Sequence, residues 1–333
     1  MKHVFGIASH LVFYICNKYI EMHNLSTSDC VLLLTRNYRI PDAYKSKYAN
    51  VICTSYSPTE RIWAGLNFIQ TIHNKRHFDD LIASYIGNDE FMYYTQVCNN
   101  EISNLMVSKS NCKGYYILED GSGSYRIFNP PTFVGWKAWS YYLLLKPLFP
   151  RFYCIKNHFI ETNHPKFMRC IGTTQKCFPL HQQYLEVVGL PFEHIDLGYC
   201  PEAIISIDPL YLYFTKEEAC DIFREIGRYI EEKKYAVIAY KFHPNFYTPF
   251  YEQLKNEYLN ALLSNLNCST KEIPASVCLE NALVTYQCDF YTIFSSVAIY
   301  ANNAGCTCYS PLHRVKDKIP TKIALVEEIS QPI

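Results

Sequence analysis

Glu119 and Asp120 stand side by side in "YYILEDGSGSYRIF", after an apolar run and before a glycine-flanked turn at Gly121. Adjacent side chains at a strand end point to opposite faces. One carboxylate can therefore face a cleft while the other braces the turn, a pairing suited to a general base with a supporting acid. A cleft-facing carboxylate that loses water has its pKa raised toward the range of a base. A solvated acidic turn fits the same residues. A phosphate-cradling G-x-G-x-x-G loop does not, because Arg126 stands where the third glycine belongs. The chain also has no D-x-D to hold a divalent ion beside a nucleotide sugar.

The second half carries three further features. "YKFHPNF" closes an apolar run with His243 before Pro244. Proline pushes the residue before it toward extended geometry, which holds the ring at the mouth of a sheet. There it either bonds a phosphate and supports a departing nucleotide, or is a loop histidine touching nothing. Lys241 shares its strand face by period two, either adding positive charge near that phosphate or ending the strand in solvent. In "DFYTIFSSVAIYANN", Ser295 and Ser296 follow a strand and open a helix, which suits either an anion site or an ordinary N-cap. Glu280 in "IPASVCLENAL" lies in a short helix, where a carboxylate can accept both hydroxyls of a ribose or simply face solvent.

The elements that position these residues alternate β-rich and helical runs. "HVFGIAS", "CVLLLTR", "NVICTSY", "LIASYIG" and "GYYIL" read as strands. "HLVFYICNKYIEMH", "PTERIWAGLNFIQTIHNKRHF" and "EFMYYTQVCNNEISNLMV" read as helices. The pattern loosens from Asn129 to about Pro201 and then resumes with "AIISID", "TKEEACDIFREIGRYIEEKK" and "YAVIAYKFHP". Such alternation predicts parallel sheets covered by helices, an α/β chain of two Rossmann-like domains with a cleft between them. The expected division is 1–165, a linker region 166–200, and 201–333. Ligands in such sheets sit outside the carboxyl ends of strands, where every motif above falls. On the same reasoning His10, and "GNDE" at Gly87–Glu90, are candidates for the rim of an acceptor cleft.

Composition narrows the classes. The 333 residues are 49% hydrophobic and carry 31 basic and 31 acidic side chains, so charge gives no reason to expect a nucleic-acid partner. The 15 cysteines are an odd number without a C-x-x-C, which argues against a paired-cysteine zinc site and for small buried hydrophobes in a reducing cytosol. No uncharged apolar run reaches the roughly 18 residues of a membrane-spanning helix. "FVGWKAWSYYLLLKPLFPRFYCIK", Phe133 to Lys156, mixes tryptophans, tyrosines and basic residues. It reads either as a surface for peripheral contact with the inner membrane face or as a buried interdomain helix.

Taken together, "EDG" at Glu119–Gly121, "HP" at His243–Pro244 and "SS" at Ser295–Ser296 resemble the shared motifs of the bacterial lipooligosaccharide and capsule sialyltransferases, with the bacterial polysialyltransferases as relatives. The resemblance implies a GT-B fold and inverting transfer of sialic acid from CMP-sialic acid, with no cofactor and no metal. It implies a galactoside-type, lipid-linked acceptor on a surface glycan. Asp120 would be the base, with Glu119 the less favoured choice. His243 would hold or protonate the departing phosphate, Ser295 and Ser296 would bind it, and Glu280 would hold the ribose. A polysialyltransferase, a CDP-alcohol phosphotransferase of the teichoic-acid type and an inactive glycan-binding GT-B protein are the alternatives. The sequence leaves a homodimer open.

Overall fold

The computed structural model describes residues 1–35, 38–54, 68–96, 101–125, 164–247, 249–318 and 324–333. The Phe133–Lys156 stretch lies outside them. By contact the chain forms two compact units, Met1–Asp120 with Ser124–Pro191, and Gly121–Gly123 with Phe192–Ile333.

The first unit is built on a parallel sheet of seven described strands: β1 (Lys2–Ile7), β2 (Cys30–Leu34), β3 (Val51–Cys53), β4 (Phe91–Thr95), β5 (Cys112–Leu118), β6 (Phe167–Gly172) and β7 (Leu185–Val187). Their order is β3-β2-β1-β4-β5-β6-β7. Helices α1 (His10–Met22), α2 (Phe68–Ile86) and α3 (Glu101–Ser108) connect them. All five residues of β2, "CVLLL", are buried, the continuous apolar signature of a parallel strand covered on both faces. Ser9 caps α1 by accepting from the Val12 amide.

Two expectations change here. "LIASYIG" is the last part of α2, because Phe78, Ile82 and Ile86 are buried at intervals of four while their neighbours are more exposed, a helical spacing rather than an alternating one. "FMYYT" is β4 rather than the start of a helix, as its aromatic run favours an extended chain. Gly87–Glu90 therefore precede a strand and lie at the amino end of the sheet, away from the carboxyl end where a cleft rim would be.

The second unit carries β8 (Ala203–Ile207), β9 (Val237–Phe242), β10 (Ser269–Glu272), β11 (Asp289–Tyr291), β12 (Cys308–Ser310) and β13 (Gln331–Pro332), in the order β10-β9-β8-β11-β12-β13 and all parallel. Its helices include α4 (Lys216–Lys233), α5 (Glu252–Leu263), α6 (Leu279–Tyr286) and α7 (Val297–Asn303). A capping box between Thr215 and Glu218 opens α4, whose buried stripe runs through Ala219, Phe223, Ile226 and Ile230. Gly227 on that stripe lets α5 approach: a Cβ there would sit 2.3 Å from the Leu262 carbonyl oxygen.

The stretch 166–200, expected as a linker, contributes β6 and β7 to the first sheet, and the chain passes to the second unit after Pro191. Short strands with exposed residues, such as Met168 and Arg169 in β6, do not stand out from loops in sequence.

Candidate functional site

In the second unit the chain leaves β8 toward β9 and β10 on one side, and later returns to place β11 on the other. The gap between the carboxyl ends of β8 and β11 is thus a topological switch point, where open α/β sheets bind ligands. Asp208 follows β8 there and is 1% exposed. Its Oδ2 accepts from Thr292 Oγ1 at 2.8 Å and from the amides of Ile293 and Phe294 at 2.8 and 3.0 Å. Its Oδ1 accepts from Ser206 Oγ at 2.8 Å. One buried carboxylate therefore pins the 292–296 turn to the end of β8. Thr292 Oγ1 in turn accepts from the Ser295 amide at 2.9 Å.

Ser295 and Ser296 lie half-buried on this turn. Ser295 Oγ accepts from the Val297 amide at 3.3 Å, whereas Ser296 has helical dihedrals and makes no side-chain cap bond. The two hydroxyls therefore differ: one closes the turn, the other does not.

His243 follows β9, its amide donating to Ile207 O at 3.1 Å, and the exposed Pro244 opens a 3-10 turn after it. Burial lowers the pKa of His243, and the Asp208 charge opposes that shift. The ring is thus neutral at neutral pH, next to an acid that favours its protonation. Lys241, expected near a phosphate or in solvent, is instead 8% exposed, with Nζ donating to the carbonyls of Pro274 at 2.6 Å and Ala275 at 3.3 Å. Burial lowers its pKa to about 8. Glu280, in the first turn of α6, is half-buried and accepts from Cys278 Sγ at 3.0 Å.

In the first unit Glu119 and Asp120 diverge. Glu119 is fully buried. Its Oε1 accepts from Tyr125 Oη at 2.7 Å, and its Oε2 accepts from the Thr173 amide at 2.6 Å and from Cys177 Sγ at 3.1 Å. It ties the end of β5 to the following turn and to the loop after β6. Burial, then the Glu119 charge, pushes the Cys177 thiol up to about 11 and the Tyr125 phenol higher still, so both remain donors. Asp120 is half-buried, and its amide donates to Ser124 Oγ at 2.9 Å. Gly121 turns the chain at φ +55, where a β-carbon would be strained. His10, in the first turn of α1, has Nδ1 3.3 Å from Tyr38 Oη.

Sequence reasoning missed Asp208, Thr292, Tyr125, Thr173 and Cys177. "ISIDP" does show an acid ending a strand before proline, but its importance depends on β8 and β11 being neighbours. Among the described residues no group of three or more His, Cys, Asp or Glu side chains could hold a metal ion. No helix among them is long and apolar enough to cross a membrane.

Two Rossmann-like units with parallel sheets define a GT-B-type fold. No protein-family profile matches the chain, and no curated protein matches it by sequence. Among solved structures it is similar to a putative UDP-N-acetylglucosamine 2-epimerase from Listeria monocytogenes, at 10% identity and a TM-score of 0.56 over 98% of this chain and 82% of that one. It is also similar to S. aureus MnaA solved with UDP, at 11% identity and a TM-score of 0.52 over 98% of this chain and 87% of that one. These likenesses support the fold. They overturn the sialyltransferase resemblance, since the neighbours are not CMP-sialic acid enzymes and no sequence match supports that family. The physical reason is that "EDG", "HP" and "SS" are two- or three-residue motifs at strand ends, where any Rossmann-type sheet gathers polar residues.

Proposed function

We propose that this chain is a nucleotide-sugar enzyme that binds a nucleoside diphosphate sugar, uridine being the first candidate, on its second unit and transfers the sugar. The observation that carries the reading is the Asp208-pinned turn at the β8/β11 switch point, which sets Ser295 and Ser296 at the carboxyl edge of the sheet, where His243 also follows β9. A phosphate there meets the Ser296 hydroxyl and a histidine that gains a proton as the anion arrives. Glu280 offers a carboxylate to the ribose hydroxyls. Stabilising the departing diphosphate is the main task in glycosyl transfer, and serine, histidine and backbone donors supply it without a metal. On the first unit Asp120 is the candidate base, with Glu119 setting the turn that carries it.

The similarity to the putative 2-epimerase favours a second reading, change at the sugar of the bound nucleotide without transfer to an acceptor. Incubation with UDP-sugars in EDTA, followed by chromatography of nucleotide and sugar, separates the two. Acceptor-dependent UDP release supports transfer. An isomerised UDP-sugar supports the second reading. Inertness toward every nucleotide sugar tested, with and without acceptors, would count against both.

A further inference from the structure

Lys241 is a lysine buried where the sheet meets the helix carrying Glu280. It is the next-to-last residue of β9 and pairs in register with Ser206 of β8. Its ammonium reaches the Pro274 and Ala275 carbonyls. The Pro274 carbonyl also accepts from the Val277 amide at 3.0 Å, closing the turn, and the Ile273 amide donates to Tyr240 O at 2.8 Å. β9 therefore grips the start of this turn through its main chain and through Lys241. The turn ends at Cys278, which opens α6 without a side-chain cap bond and instead donates its thiol to Glu280 Oε2. That bond leaves the other carboxylate oxygen for a ligand hydroxyl.

We propose that Lys241 is the positioning residue of the nucleoside end of the site, its ammonium locking the 274–278 turn so that Glu280 meets the ribose hydroxyls. The inference rests on the donor-site reading above and adds to it a specificity for ribonucleotides that depends on the lysine's charge. A charged group bonding carbonyls holds them about twice as strongly as a neutral one, so losing the proton loosens the turn. Burial is the largest influence on Lys241 and lowers its pKa; the carboxylates of Glu280 on α6 and Glu272 at the end of β10 favour its charged form without offsetting that, and Cys278 on the turn is a neutral thiol whose own pKa burial raises well above the usual value. On its own strand Tyr240 has its phenol pKa raised by burial and then by Glu272. Lys241 is accordingly mostly charged at pH 7 and mostly neutral at pH 9.

The test is calorimetric affinity for UDP and for 2′-deoxy-UDP, in EDTA, at pH 7 and pH 9, with wild type and Lys241→Met. The ratio of the two affinities cancels effects on phosphate and base, including those of His243, and isolates the ribose. A hydroxyl bonded to a carboxylate predicts a preference for UDP of about 10-fold to 100-fold at pH 7. That preference should shrink to a few-fold at pH 9, and be small at both pH values in Lys241→Met. The wild-type comparison needs no variant, so a poorly folded Lys241→Met would not block it. A wild-type preference equal at both pH values overturns the proposal while leaving the donor site standing. Equal affinities at pH 7 remove the ribose contact as well. Binding of neither nucleotide overturns the donor reading itself.

Discussion

Replacing Asp208 with asparagine tests whether one buried charge organises the nucleotide end of the second unit. The amide keeps an oxygen for the Thr292 hydroxyl and the Ile293 and Phe294 amides, now at 2.8 to 3.0 Å from a carboxylate oxygen. Its new NH2 faces Ser206, whose hydroxyl can reverse and accept. The loss is the charge on three hydrogen bonds. Bonds to charged groups contribute about 1.5–3 kcal/mol and neutral ones about half, so three together weaken the turn by about 2–4 kcal/mol. Native-state hydrogen exchange at the Ile293 and Phe294 amides should then speed up by about 30-fold to 1000-fold. The same substitution removes the charge that raises the His243 pKa, so the ring should titrate at a lower pH by NMR. Unchanged amide exchange together with an unmoved His243 titration would refute the role assigned to Asp208.

Because burial depresses the His243 pKa below 6.5, its contribution to stability is intact above that value and is lost as pH falls through the folded-state pKa. Phosphate binding should act oppositely by raising that pKa. Nucleotide binding should therefore take up a proton and tighten from pH 8 toward pH 6, as read by calorimetry in buffers of different ionisation enthalpy. Absence of proton uptake, or its persistence in His243→Asn, would remove this ring from the phosphate. Gly227→Ala should destabilise the α4–α5 contact by roughly 1–3 kcal/mol, the usual cost of overpacking, because the Leu262 carbonyl that the new methyl meets is backbone. Chemical denaturation would show it, and wild-type stability would mean the helices separate at no cost.

Much of the architecture was legible in the sequence. "CVLLL" and "AIISI" are buried along their whole length, so an apolar run, interrupted only by Ser206 in the second, sufficed to mark them. The amphipathic α4, with Thr215 and Glu218 opening it, reads directly as a helix. What escaped depends on distance along the chain. Glu119 finds its partners 54 and 58 residues away at Thr173 and Cys177, and Asp208 reaches 84 to 86 residues to the 292–294 turn. Acids adjacent in sequence look equivalent there; folding buries Glu119 among three donors and leaves Asp120 half-exposed. The sialyltransferase expectation failed for a related reason. Strand ends of any parallel sheet collect histidines, serines and acids, so short motifs there report the fold more than the donor.

Hydrogen–deuterium exchange with and without UDP, in EDTA, tests the nucleotide assignment most directly. Binding at the β8/β11 switch point should protect peptides covering 240–247 and 292–300, with a smaller effect over 274–282. Protection confined to the first unit, or none at saturating UDP, would contradict it.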